Sequence, residues 1–198
     1  MPRAPRVWFP GAWYHVIARG NNKEAVFFAT RDYLVYLTML KGGLARYESS
    51  LHAYVLMPNH VHLLIETGQR HPLPQLMQWL HTTYTCYVNR KHKRVGHLFQ
   101  GRYRSLLVDR DPYLLELSRY IHLNPVRAHM VDDPSAYRWS SYHAYVHSPA
   151  APQAPVTTQF ILSMISPRLS EQVALYRQFV LDGVRPQSGV LENSPLGV

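Results

Sequence analysis

The chain has 198 residues, 46% of them hydrophobic and 17% charged, with 21 Lys+Arg against 12 Asp+Glu and a net charge of +9. That size fits one ordinary domain, or one with a short appendage, and excludes two full domains, while the apolar share excludes a disordered chain. The positive balance favours a polyanionic partner, either nucleic acid or an acidic membrane surface. Cys86 is the single cysteine, so an intramolecular disulfide and a cysteine-rich zinc site are excluded. Residues 1–20 contain no secretory-type apolar stretch, and no run reaches the roughly 18–20 residues of a membrane span; the expectation is a soluble, cytoplasmic protein.

Taken in chain order, Trp13 to Ala18 reads as a strand closed by the turn signal Gly20-Asn21-Asn22. Residues 31–47 place Leu34, Leu37, Leu40 and Leu44 near helical spacing, with Thr30 as the N-cap. Residues 51–57 and 60–66 are β-rich and meet at Pro58-Asn59, which predicts a hairpin. Leu73, Leu76, Met77, Leu80 and Tyr84 predict a helix over 73–90, Arg102 to Val108 a further strand, and 113–124 a last helix that stops near Pro125. The order β-α-β-β-α-β-α predicts an α+β sandwich of the ferredoxin-like type, an antiparallel sheet with helices on a face.

Charge sets the domain organisation. Residues 1–148 hold 18 Lys+Arg and 9 Asp+Glu, against 3 of each in residues 149–198. Residues 1–148 therefore read as the functional domain and the prolines of 149–156 as an extended linker. Residues 157–198 read as a short helical extension, with two amphipathic helices, the second ended by Gly183 and Pro186, and a frayed tail.

Two stretches carry candidate chemistry. In Met57-Pro58-Asn59-His60-Val61-His62, strand alternation projects His60 and His62 from one face, about 7 Å apart along the backbone and able to converge on one divalent ion. Val61, Leu63 and Ile65 then point to the core. Two surface histidines on a half-exposed strand would give the same spelling. In Tyr120-Ile121-His122-Leu123-Asn124-Pro125, residues four apart share a helix face, so Tyr120 and Asn124 present a phenol and an amide oxygen to one spot while His122 faces elsewhere. Each also has a plain structural reading, Tyr120 as a core aromatic and Asn124 as a helix stop before proline. Tyr113, two turns earlier, is the rival phenol.

Together, Arg19-Gly20-Asn21-Asn22, the His60/His62 motif, Phe99-Gln100-Gly101-Arg102-Tyr103-Arg104 and Tyr120 to Ala128 resemble the REP-associated tyrosine transposases, which belong to the single-tyrosine branch of the HUH endonucleases. The resemblance spans about residues 6 to 146. It implies a ferredoxin-like enzyme that cleaves and rejoins single-stranded DNA at repeated extragenic palindromic hairpins through a 5′-phosphotyrosine. Tyr120 would be the nucleophile. His60 and His62, with Asn124 as third ligand, would hold Mg²⁺ or Mn²⁺. The implied partners are single-stranded DNA and REP-type hairpins, for a monomer or homodimer associated with the bacterial nucleoid.

The basic residues supply the expected DNA surface. Residues 90–104 contain Arg90, Lys91, Lys93, Arg94, Arg102 and Arg104 and no acid, with Phe99 and Tyr103 interleaved as stacking platforms. Arg3 and Arg6 form an N-terminal arm, and Arg19, Asn21 and Arg127 complete the set. Two other classes stay open on these residues. A non-catalytic ferredoxin-like nucleic-acid-binding module would lack a metal site, and a metal-dependent phosphohydrolase using water would leave Tyr120 dispensable.

Overall fold

The computed structural model describes residues 8–108, 113–146 and 155–184. Arg3, Arg6, most of the proline-rich linker and the tail beyond Val184 lie outside the described residues.

Four strands, β1 (Trp13–Arg19), β2 (Ser50–Met57), β3 (His60–Glu66) and β4 (Arg104–Val108), form one antiparallel sheet in the order β2-β3-β1-β4. Helix α1 (Thr30–Arg46) connects β1 to β2, and α2 (Leu73–Lys91) connects β3 to β4. This is the ferredoxin-like βαββαβ arrangement, with β3 inserted between β1 and β2. Among the described residues four more helices follow: α3 (Tyr113–Arg127), α4 (Tyr142–Val146), α5 (Gln159–Ile165) and α6 (Leu169–Asp182).

Strand alternation divides the sheet chemically. Tyr14, Val16 and Ala18 on β1 and Val61, Leu63 and Ile65 on β3 are buried on one face. Right-handed crossovers bring α1 and α2 together over it. There the two helices approach closely: a Cβ on Gly43 would lie 2.7 Å from Leu76 Cδ1 and 3.0 Å from Trp79. The N-terminus of α1 is fastened by Asp32, which accepts from the backbone N–H groups of Phe28 and Ala29, from Tyr87 Oη and from Lys91 Nζ, and which pairs with His92. Ala29, not Thr30, occupies the N-cap position, because Asp32 supplies the capping oxygen from inside the helix.

The second face carries His15, Ile17, Arg19, His60, His62 and Leu64, and α3 crosses it against β2 and β3. Helices therefore cover both faces. Helix α3 runs on through Pro125 to Arg127, past the stop expected at the proline. A proline removes one helical hydrogen bond, and the turn after it is closed by the N–H of Ala128 donating to Asn124 O and of Met130 donating to Pro125 O, both at 2.9 Å.

Residues beyond 127 complete this layer. Tyr176 of α6 places its hydroxyl 2.9 Å from Ser118 Oγ and 2.8 Å from His122 Nδ1, both on α3. His122 Nε2 lies 2.8 Å from Ser141 Oγ, which also accepts from the N–H of Tyr54 on β2 at 2.8 Å. The outer edge of β2 is paired as well: Leu56 N–H donates to Trp139 O, while Ser141 and Thr157 N–H donate to Tyr54 and Leu51 O. That edge is thus closed by the segments that follow α3.

Candidate functional site

The site lies where β1 and β3 run side by side beneath α3. His62 pairs across the sheet with Ile17 on one side and Val55 on the other, and His60 pairs with Arg19 and Met57. The two imidazole centroids are 5.1 Å apart at 83°. His62 is fully buried, and His60 is half-buried at the end of the strand.

Side-chain contacts fix both rings. His60 Nδ1 sits 2.7 Å from Asn59 Oδ1, which fixes it as the N–H and leaves Nε2 toward α3. His62 Nδ1 is 2.9 Å from His15 Nε2, while His62 Nε2 is buried with no hydrogen-bond partner among the described residues. Burial lowers the pKa of both rings. Arg19 adds to the shift at His60, against a hydrogen bond with the Asn124 side chain that favours the protonated ring, and His15 and His60 add to it at His62. His15 falls to about 4 through burial and Arg104. At neutral pH the three imidazoles are therefore uncharged.

Helix α3 supplies the rest. The Tyr120 ring stands edge-on to His62 at 5.6 Å and to His15 at 6.1 Å. Asn124, one turn on, donates Nδ2–H to Tyr120 O at 3.0 Å. Four-residue spacing thus brings Tyr120 over one histidine and Asn124 onto the other, while His122 points into the α4–α6 layer, where burial holds its pKa at about 3. Tyr113 is 40% exposed and makes no ring contact with the histidines. Among the described residues no three His, Cys, Asp or Glu side chains converge, and the side chains here that could hold a metal are two imidazoles and the Asn124 amide. The unpartnered Nε2 of His62, with the His60 ring 5.1 Å away centroid to centroid, suits a divalent ion that accepts nitrogen and oxygen donors.

The predicted basic residues divide into groups. Arg19 adjoins His60 with its Nε buried and unpartnered, the Arg127 guanidinium lies 5.0 Å over the Tyr120 ring, and Arg104 stands on β4 opposite Ile17. These three border the site. Asn21 ties its backbone N–H to Leu98 O at 2.9 Å, and Gln100 N–H donates to Arg19 O at 2.8 Å, so the 98–103 loop bearing Arg102 is fastened to the end of β1. Arg90 and Lys93 are exposed at the far end of α2. Lys91 is 2.6 Å from the buried Asp32 carboxylate and Arg94 is 3.2 Å from Glu24, so neither is a free cation. Tyr103 is 7% exposed, as is Phe99, which stacks on His81 at 4.3 Å; both rings pack against His81 of α2.

His15 escaped the sequence reading. Its only signal is a histidine at an inward position of an otherwise apolar strand, a spelling shared with any satisfied core histidine.

The fold and this site define a ferredoxin-like protein with a histidine pair, a tyrosine and a basic rim on one sheet face. Residues 9–124 match the model of the IS200-like transposases, and the chain belongs to that family. Its function is accordingly of the DNA-processing, transposase class. Among solved structures it is similar to a REP-associated tyrosine transposase bound to a REP hairpin, at 16% identity and a TM-score of 0.64, covering 79% of this chain and 92% of that one. A protein of Deinococcus radiodurans R1 aligns at 20% identity and a TM-score of 0.41, over 61% of this chain and 95% of that one. No curated protein matches the chain. No helix among the described residues is long and apolar enough to cross a membrane.

Proposed function

We propose that this chain is a metal-dependent tyrosine transposase that cleaves and rejoins single-stranded DNA beside hairpins of the REP type. The observation that carries the reading is the placement of Tyr120 and Asn124, one helical turn apart, over His62 and His60 respectively. The solved relative bound to a REP hairpin supports this class of substrate.

In the reaction Tyr120 Oη attacks the scissile phosphorus. A phosphorus–oxygen bond forms to the tyrosine, the bond to the 3′ oxygen breaks, and the phenol's proton is balanced by protonation of the departing 3′-hydroxyl. The product is a 5′-phosphotyrosine, whose bond energy is retained for rejoining when a 3′-hydroxyl attacks in reverse. His60 Nε2, His62 Nε2 and the Asn124 amide oxygen would hold the divalent ion. When bound there, Mg²⁺ or Mn²⁺ neutralises the scissile phosphate and stabilises charge that grows in the transition state. Arg19 and Arg127 border the same spot and hold the phosphate backbone against it, with Arg104, Arg102, Asn21, Arg90 and Lys93 extending the basic path. The sheet below excludes water from the buried His62 side, which strengthens these interactions.

The test is a labelled single-stranded hairpin incubated with protein and Mg²⁺ or Mn²⁺ and resolved under denaturing conditions. A covalent protein–DNA species is expected, and Tyr120→Phe removes it while leaving hairpin binding. Free cleaved DNA without adduct would identify a hydrolase, a mobility shift alone a binding module, and undiminished adduct in Tyr120→Phe would exclude that nucleophile.

A further inference from the structure

His15 is fully buried at the centre of the sheet, on a strand flanked on both sides by partners. Its neighbours on the same face of β1, Trp13 and Ile17, are apolar, and an apolar residue at this position would pack without the cost of desolvating an imidazole. Its one hydrogen bond is the 2.9 Å contact from Nε2 to His62 Nδ1; Nδ1 has no partner among the described residues. The direct cross-strand neighbours of His62, Ile17 and Val55, cannot hydrogen-bond its ring. His15, diagonal to His62 across the β1/β3 pair, is the side chain that fills that role.

A neutral imidazole carries one proton, and the contact permits two arrangements. If His15 Nε2 donates to His62 Nδ1, then His62 holds its proton on Nε2, and that nitrogen cannot ligate a cation. If His62 Nδ1 donates to His15 Nε2, the lone pair of the buried, unpartnered His62 Nε2 is left free to ligate. We propose that His15 is the positioning residue for His62: its Nε2 accepts the Nδ1 proton and thereby fixes the ring and tautomer that present His62 Nε2 to a divalent cation. His60 is set by the same logic through Asn59 Oδ1, at 2.7 Å, so each histidine of the pair has its own acceptor behind it. This inference rests on the functional reading above for the presence of a cation, and on the geometry of these rings for the role of His15.

The test uses the whole chain and two variants. His15→Phe keeps a ring of similar size without an acceptor, and His15→Gln returns an amide oxygen near the place of Nε2. Manganese affinity is measured by calorimetry, hairpin binding is measured without metal, and the histidine ring nitrogens are followed by ¹⁵N NMR in wild type with and without Mg²⁺. The expected result is a loss of Mn²⁺ affinity of about 10- to 100-fold in His15→Phe, recovery to within about fivefold of wild type in His15→Gln, and unchanged metal-free hairpin binding in both. In the Mg²⁺-loaded wild type the His62 proton is expected on Nδ1. Wild-type Mn²⁺ affinity in His15→Phe, equal losses in the two variants, or a proton on His62 Nε2 in the loaded protein would each overturn the proposal. A wild-type chain that binds no Mn²⁺ overturns the functional reading along with it, whereas normal binding by both wild type and His15→Phe overturns this inference alone. Should His15→Phe not fold, the wild-type spectrum and His15→Gln decide.

Discussion

Replacing Tyr176 with Phe removes a single oxygen and tests how the helix that bears Tyr120 is held. Tyr176 is fully buried, and its hydroxyl reaches Ser118 and His122, one on each side of Tyr120 in the sequence of α3. Ser118 Oγ retains its bond to Leu115 O at 2.7 Å. His122 does not fare as well: Ser141 Oγ occupies its Nε2 at 2.8 Å, so loss of the phenol leaves Nδ1 buried and unpartnered. An orphaned buried polar group costs about 1–3 kcal/mol. For a chain of this size, about 2 kcal/mol corresponds to a fall of roughly 4–8 °C in Tm. Urea denaturation read by circular dichroism measures the first quantity, and single-turnover cleavage of a labelled hairpin well below Tm measures the second consequence. Because displacement of a reacting group by about 1 Å costs on the order of 100-fold, cleavage is expected to fall by about tenfold or more while hairpin affinity stays within about twofold. A stability change below about 0.5 kcal/mol would refute the claim that α6 seats α3 through this hydroxyl. Lost stability with unchanged cleavage would refute only the link to Tyr120.

Other outcomes follow from the same geometry. Asp32→Asn sets an amide against the donors of Phe28, Ala29, Tyr87 and Lys91 and is expected to cost about 3 kcal/mol in denaturant titrations, since breaking a buried pair leaves its partners uncompensated. Burial opposes ionisation of Asp32, yet bonds from Lys91, Phe28, Tyr87 and His92 outweigh it and hold its pKa below the ordinary carboxylate value. Its contribution is therefore complete above about pH 4 and is lost as pH falls toward its lower folded pKa, so Asp32→Asn is expected to flatten the stability profile measured from pH 6 to pH 2. Gly43→Val drives a side chain into Leu76 and Trp79 and is expected to lower stability by about 1–3 kcal/mol, with no change in the hairpin affinity that survives folding. Neutralising Arg19, Arg104 and Arg127 together is expected to reduce the salt slope of hairpin binding by about 2, at roughly 0.7 per phosphate contact. Neutralising Lys91 and Arg94, already engaged with Asp32 and Glu24, is expected to move it by less than half as much.

The elements of the ferredoxin-like half were legible because each carries its own period. Leu37, Leu40 and Leu44 mark a helix without reference to the rest of the chain, and Val61, Leu63 and Ile65 alternate against His60 and His62 whatever lies beyond. The pairing of Tyr120 with Asn124 was legible for the same reason, being a matter of four residues on one helix. What needed the structure depends on distant partners. The direction of Tyr103 and Phe99 is decided by His81, and the engagement of Lys91 by Asp32, 59 residues earlier. Pro125 looked like a terminus because the pre-proline rule is local, whereas buried packing carries α3 past it. His15 was invisible because alternation assigns a face but not the chemistry waiting there.

The closure of the β2 edge bears on inheritance. The match to the transposase family ends at residue 124, inside α3, before Trp139, Ser141, Thr157 and Tyr176. Those residues bond the exposed rim of the sheet and the back of the helix that carries Tyr120. The stretch matched by the family model is therefore shorter than the stretch whose parts bond to one another around the sheet and α3. A replacement of the residues after α3 would have to supply matching surfaces for β2 and α3.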